Sequence, residues 1–559
     1  MEMSRLKQNK TKQIRRTAMT EYWKDDDYCV IKEKVVPVLV KDFKDVKDIE
    51  ELLSGKASCV SFHKEHLAVF EKQGAYVVLD FGKEVCGGLR FVTRDVKGLA
   101  EFRITFGESL SECYTEIGDK NAGNDHAPRD FNVQIPFMSD LTFGQSGFRF
   151  AKVELLSENP VSVKNIFAIN TLPVFEKEGF ITTNDEALNQ ILETALYTLK
   201  LNFQNGYIWD GIKRDRLVWS GDLNQEIITS LYLFGDNKNI TNSLSFLRDE
   251  TLEGTWMNNI PSYSAWWVIN LCDYCRITGN MEYYEENRNY AKAILKKLED
   301  CIDEDGNMEF GAGNMSFYLD WPTRGTEDAV IGTAALIIYA AKAFLWMEET
   351  LGQSSELEEN IQEICHRIVK RLERYLEQPC EFKQTRAFQI LAGRNADGED
   401  AFLEQNGADG YSTFMAYYIL TADGVAKGKE MLSIIKEYFG AMLSRGATTF
   451  WEDFHMDWLE GSSRIDELPK EGEKDIHGDY GAFCYKGFRH SLCHGWASGV
   501  LAFVIEYMLG VKLENGGESY EVNPHCMGIE EIHAKIPVKE GYLQIDVVDG
   551  NAVITEVNE

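Results

Sequence analysis

Two hydrophobic periods divide this chain. Up to about Phe175, apolar residues come in short runs or alternate with polar ones, the period-two pattern of strands with a buried face. Residues 75–81 form a β-rich run ending at Gly82. Gly87 and Gly88 precede a second run at 89–93, and 100–106 alternates up to Gly107. A further alternating run covers 147–155, and together these predict an antiparallel sandwich. From about Thr183 the period is helical: Ala187, Leu188, Ile191, Leu192, Ala195, Leu196 and Leu199 recur behind a Thr-Asn-Asp start signal. Further helices are predicted near 222–235, 240–249, 263–278, 282–302, 326–350, 356–376, 385–394, 399–404, 412–421, 425–439 and 490–510. Residues 330–341 are apolar nearly all round, which demands burial on more than one face, whereas 356–376 carries a charged face.

About a dozen helices of these two kinds suit six hairpins in a double ring, an (α/α)6 barrel; no fixed sequence period supports the competing α-solenoid. The loops 203–221, 310–325 and 446–489 are long, and long loops in compact domains usually serve a site. The chain closes with a strand at 541–548, a hairpin turn at Asp549-Gly550 and a strand at 552–555. The expected organisation is multidomain: a tail at 1–28, an antiparallel β-sandwich at 29–178, an (α/α)6 barrel at 179–512 expected to carry the chemistry, and a small C-terminal β domain at 513–559.

Composition narrows the partners. With 90 acidic against 58 basic residues the net charge is −32, which disfavours nucleic acid and anionic membranes but carries no penalty for neutral sugars. Residues 1–17 hold Lys7, Lys10, Lys12, Arg15 and Arg16 without an apolar core behind them, so no secretory signal is expected, and no other run is expected to be long and apolar enough to span a bilayer. The 12 cysteines show no disulfide framework; Cys272 and Cys275 lie in a helical pattern without a second pair and are expected to be core thiols. A cytoplasmic location follows as the expectation, with a homodimer as an open possibility.

Three segments could carry chemistry. In Trp209-Asp-Gly-Ile-Lys-Arg-Asp-Arg-Leu-Val-Trp-Ser-Gly-Asp222, three carboxylates stand beside Arg214, Arg216, Trp209 and Trp219. Carboxylates accept paired bonds from vicinal hydroxyls and an indole face covers the C–H side of a pyranose; equally, Asp222 could simply cap the following helix. In Gly446-Ala-Thr-Thr-Phe-Trp-Glu-Asp453, Glu452 follows Trp451 directly; a surface glutamate is the alternative. His490-Ser-Leu-Cys-His-Gly-Trp-Ala-Ser498 opens the last helix, where a buried structural histidine is the plainer explanation. No histidine has a partner at metal-ligand spacing, so neither metal nor cofactor is expected.

Together these boxes resemble the α-L-rhamnosidases of glycoside hydrolase family 78, whose hallmark is an Asp followed by Arg-acid-x-Leu-Gly-Trp-x-Gly-Asp. The likeness extends to Ala-Thr-Thr-x-Trp-Glu, to the Ser-Leu-x-His helix start, and to Asp80-Phe-Gly and Gly107-Glu-Ser in the leading strands. It implies an inverting exo-glycosidase that releases terminal α-L-rhamnose from small glycosides, with Asp215 matching the general acid and Glu452 the general base. Their carboxyls would then stand about 6.5–9.5 Å apart. Asp210, Arg214 and Asp222 match groups that hold the sugar hydroxyls, Trp219 an aromatic wall and His494 a polar contact. Trp321 and Trp266 or Trp267 are expected as further wall residues, and Trp451 beside them. Two positions depart from the family. Asp215 replaces a Glu, one methylene longer, with Asp222 as the reserve acid, and Val218 replaces a Gly. Arg214 is expected to turn away from Asp215, toward Asp210 or the sugar, since neighbours in an extended loop point oppositely. Rival readings are another (α/α)6 glycosidase, a lyase, or a non-catalytic carbohydrate-binding relative.

Overall fold

The structure, a computed structural model, describes residues 22–25, 30–55, 59–311, 313, 315–351, 356–396, 401–483 and 485–558. The basic segment 1–17 and the first two residues of the helix expected at 399–404 lie outside them.

The N-terminal part is an antiparallel sheet domain whose central path runs through Tyr22–Asp25, Val30–Val35, Val161–Pro173, Tyr76–Asp95, Asp140–Leu155, Leu99–Gly107 and Asp130–Pro136. The glycines read as turn punctuation do something else here. Residues 76–95 are one long strand that bends at Gly82, where φ is 77°, and shifts register between Asp80 and Val85 and between Gly87 and Leu89. A Cβ on Gly87 would lie 1.8 Å from the Ile169 carbonyl oxygen, so neighbouring backbone runs where a side chain would go. Val77, Leu79, Phe81, Leu89 and Phe91 bury with Phe102, Ile104 and Phe106 in the core of this domain.

The helical part begins with Glu186–Asn202, capped by the Asp185 carboxylate, which accepts from the Leu188 amide. Ser220–Phe234 is buried along its whole length, and Pro261–Thr278 nearly so. These two pack together; Glu327–Leu351, Lys383–Leu391, Ala416–Val425 and Val500–Phe503 follow in turn, and the last returns to Ser220–Phe234. Amphipathic helices such as Met281–Asp300 and Glu356–Leu372 pack outside them. One expectation needs correction. Glu327–Thr350 is long and apolar enough, by length and composition, to cross a membrane. Its Ala334, Ala335, Leu336, Ile337 and Ile338 are instead buried among the other helices, and a helix enclosed on several sides needs no polar face. Cys272 and Cys275 sit in this core, and burial pushes both thiols up.

At the end of the chain, Glu531–Val538, Gly541–Val548 and Asn551–Val557 form a sheet that Phe180–Thr183 joins from the start of the helical part. Asp549 and Gly550 take φ of 48° and 77°, the left-handed pair that a two-residue hairpin requires.

Candidate active site

After Glu186–Asn202 a tight hairpin, Phe203–Gln204 with Tyr207–Ile208, delivers the chain to Asp210. Asp210 closes the next loop on itself. Its amide donates to the Leu217 carbonyl at 3.0 Å, and its Oδ1 accepts from the Leu217 amide at 2.9 Å. At the tip, Asp215 and Arg216 both have left-handed backbone, φ 57° and 54°. The loop ends at Trp219, and Ser220–Phe234 begins. Asp222 sits in the first turn of that helix but does not cap it: Trp219 holds the cap position without a side-chain bond, and Asp222 Oδ2 accepts from the Tyr263 hydroxyl at 3.1 Å.

Two further loops zip onto this one. Glu452 and Ser491 exchange bonds: the Glu452 amide donates to the Ser491 carbonyl and the Ser491 amide to Glu452 Oε2, each at 3.0 Å. His494 donates its amide to the Phe450 carbonyl at 3.0 Å and bridges to Gly211, while the Gly495 amide donates to the Asp210 carbonyl at 2.8 Å. His494 Nε2 then lies 3.6 Å from Glu452 Oε1 and 3.9 Å from oxygens of both Asp210 and Asp222. Carboxylates far apart in sequence therefore surround one imidazole.

Arg214 occupies the centre. Nη2 pairs with Glu452 Oε1, Nη1 lies 2.6 Å from Asp215 Oδ1, Nε donates to the Arg489 carbonyl at 2.9 Å, and the guanidinium lies 4.7 Å over the Tyr485 ring. This corrects the expected orientation. The tip is not extended, so adjacent side chains do not alternate; the left-handed turn at 215–216 folds Asp215 back onto Arg214. One guanidinium consequently joins the two carboxylates assigned as acid and base.

Burial dominates the electrostatics. It raises Asp210 well above the usual carboxylate range, helped by Asp215 and Asp222, and raises Asp222 likewise, with Glu452 and Asp215 adding to it. Burial also raises Glu452, against which Arg214 and the Ser491 amide favour the charged form. His494 is pushed well below its ordinary value by burial and by Arg214, and so is neutral at pH 7.

The expected aromatic residues divide. Trp219 is half-buried and meets Tyr263 edge-on at 6.0 Å. Trp321 packs at 5.3 Å against Tyr485, the ring under Arg214, and its amide is held by Asp320 Oδ1 at 2.8 Å. Trp266, Trp267 and Trp451 are fully buried core residues rather than walls. Trp266 packs on Phe388 and Tyr418, the Trp267 indole donates to the Leu244 carbonyl, and Trp451 packs on Phe454. They lie on faces turned into the helix packing, which the motif spacing does not reveal.

Several residues at the site escaped the sequence reading. His126, from the sheet domain, accepts the Asp215 amide at Nδ1 at 2.7 Å. Tyr263 and Tyr485 line it, without any sequence signal of their own. Lys213, one residue before Arg214, puts its ammonium 2.9 Å from Glu108 and 3.3 Å from Glu112. Those two carboxylates and His477 have the spacing of metal ligands, but Lys213 supplies the cation among them.

Residues 176–385 match the family model of the bacterial α-L-rhamnosidase six-hairpin glycosidase domain. That match covers 210 of the chain's 559 residues, all within and around its helical part. An α-L-rhamnosidase of Alteromonas sp. (strain LOR) is 25% identical over 197 residues, which are 34% of this chain and 21% of that protein. Among solved structures, the family 78 rhamnosidase of Bacillus sp. GL1 superposes with a TM-score of 0.70 at 19% identity, covering 89% of this chain and 53% of that one. The rhamnosidase from Klebsiella oxytoca, solved with rhamnose bound, gives 0.65 at 18% identity over 86% and 96%. At these identities the likeness establishes the fold. The chain spans about half the length of the Bacillus rhamnosidase, and its match covers about a fifth of the Alteromonas one.

Proposed function

We propose that this protein is an exo-acting, inverting glycoside hydrolase that releases terminal α-L-rhamnose from small glycosides. On this reading the closed succession of buried helices, wrapped by amphipathic ones, is an (α/α)6 barrel, and the sheet domain is a β-sandwich. The observation that carries the proposal is the convergence of Asp210, Asp215, Asp222 and Glu452 on Arg214 and His494, with Tyr263 bonded to Asp222, Tyr485 under Arg214, and Trp219 and Trp321 packed against those two rings. Catalysis by inversion needs one carboxylic acid to protonate the glycosidic oxygen and one carboxylate to take a proton from the attacking water on the opposite face. Glu452 suits the base, since Arg214 and the Ser491 amide favour its charged form against the burial that raises it. Asp215 is the acid; to face the glycosidic oxygen it leaves Arg214, which is then free to bind a sugar hydroxyl. Asp210, Asp222 and neutral His494 hold the remaining hydroxyls.

A second assignment, with Asp222 as the acid, draws support from its burial and from neighbouring Glu452 and Asp215, which raise its carboxyl well above the usual carboxylate range. Release of nitrophenol from the aryl α-L-rhamnoside tests the activity, and NMR detection of β-rhamnose as the first-formed sugar tests inversion. Asp215→Asn and Glu452→Gln should each abolish turnover while melting normally. Near-normal rates in Asp215→Asn with loss in Asp222→Asn would transfer the acid role. Sugar binding without turnover of any aryl glycoside would instead identify a non-catalytic binding protein.

A further inference from the structure

We propose that Glu108, carried by the sheet domain, is a positioning residue for Glu452, acting through the loop at 491–492. The proposal rests on Glu452 being the base.

The strand Leu99–Gly107 ends in a turn that only glycine permits, since a Cβ at Gly107 would lie 2.6 Å from the Ser109 carbonyl oxygen and 2.7 Å from the Cys113 amide. The turn is then fixed by a reciprocal cap. Ser109 Oγ accepts from the Glu112 amide at 3.3 Å and Glu112 Oε2 from the Glu108 amide at 2.8 Å. This directs Glu108 out of its own domain, where it is completely buried against the helical part. There Oε1 accepts from Ser491 Oγ at 3.1 Å, and Oε2 from the Leu492 amide at 2.6 Å.

Ser491 is the residue whose amide holds Glu452 Oε2. On the other side, Glu108 Oε2 lies 2.9 Å from Lys213, whose ammonium also donates to the carbonyls of Phe488 and His490. Lys213 is bonded directly to Arg214, which holds Glu452 Oε1. Both oxygens of Glu452 thus trace back to one carboxylate of another domain. A side chain that merely joined two domains would have no need to clasp the residue orienting the base. Rates of hydrolysis fall steeply when a reacting group is misplaced by an ångström, so loosening this clasp should lower the chemical step more than sugar binding.

The test compares wild type with Glu108→Gln, which keeps the shape but offers one acceptor, and Glu108→Ala, which offers none. On the aryl rhamnoside, kcat should fall about tenfold in the first and about a hundredfold in the second, with KM within about twofold. Crystals of either variant should show the Ser491 amide moved off Glu452 Oε2. The proposal is overturned by a kcat within about threefold of wild type in both, by a loss confined to KM, or by an unchanged Ser491–Glu452 contact. If Glu108→Ala does not fold, Glu108→Gln carries the test. If wild type itself cleaves no rhamnoside, the functional reading fails, and the crystallographic contact alone decides whether Glu108 positions Glu452.

Discussion

Replacing Glu226 by glutamine should change how stability depends on pH. Glu226 follows Asp222 by one helical turn in Ser220–Phe234 and is completely buried, and among the described residues neither of its oxygens has a hydrogen-bond partner. Gly495 faces it so closely that a Cβ there would lie 1.4 Å from Oε1. Burial raises this carboxyl well above 4.5, and Asp222 and Asp210 raise it further, so the native state keeps the proton that the unfolded chain releases near pH 4.5. A folded-state pKa above the unfolded one gives stability that is full below pH 4.5 and is lost as pH rises toward the folded value. The loss is about 1.4 kcal/mol for each pH unit over which the native state alone keeps the proton. For roughly 330 residues unfolding together, an entropy of about 2.1 cal/mol/K per residue converts this into about 2 °C in Tm per pH unit. Glutamine cannot ionise and removes the term. Calorimetric melts of wild type and Glu226→Gln at successive pH values above 4.5 should therefore diverge, the variant gaining about 2 °C per pH unit relative to wild type. Parallel curves would refute the reasoning, because they would mean that Glu226 is as ionised in the native protein as in the unfolded chain.

Arg214→Met should cut kcat/KM by at least about a hundredfold and move the acidic limb of its pH profile upward, since Glu452 loses the cation that opposes its burial; an unmoved limb would argue against Glu452 as the base. Trp266→Ala should destabilise by about 3–5 kcal/mol in denaturant melts while leaving KM unchanged in the folded fraction, and a selective rise in KM would return this residue to the pocket wall. Lys213→Met strips the cation from buried Glu108 and Glu112 and should cost about 3–5 kcal/mol, read as a lowered Tm at pH 8 that recovers toward pH 5 as Glu108, which burial pushes up to about 7, takes up a proton.

Much of this was legible in the chain itself. Local periodicity settles whether a segment buries one face, as in the strand Leu99–Gly107, or more than one, as in the helix over 330–341, because apolar spacing and secondary structure obey the same short-range geometry. Local turn chemistry likewise determined the Asp549-Gly550 hairpin, and one continuous segment held Asp210, Arg214, Asp215, Trp219 and Asp222. The strand 76–95 was less legible, because its glycines answer to neighbouring backbone at Ile169 rather than to a turn. What surrounds a side chain was decided only in three dimensions. Trp266 and Trp321 look alike in sequence, yet one is sealed among Phe388 and Tyr418 and the other reaches Tyr485. Arg214 turned toward Asp215 because two left-handed residues bent the loop tip. Glu108 meets Ser491 across 383 residues of chain, a contact that no local pattern encodes. Sequence spacing reports which side of an element is apolar; only packing between distant elements determines what that side, or a charge beside it, will touch.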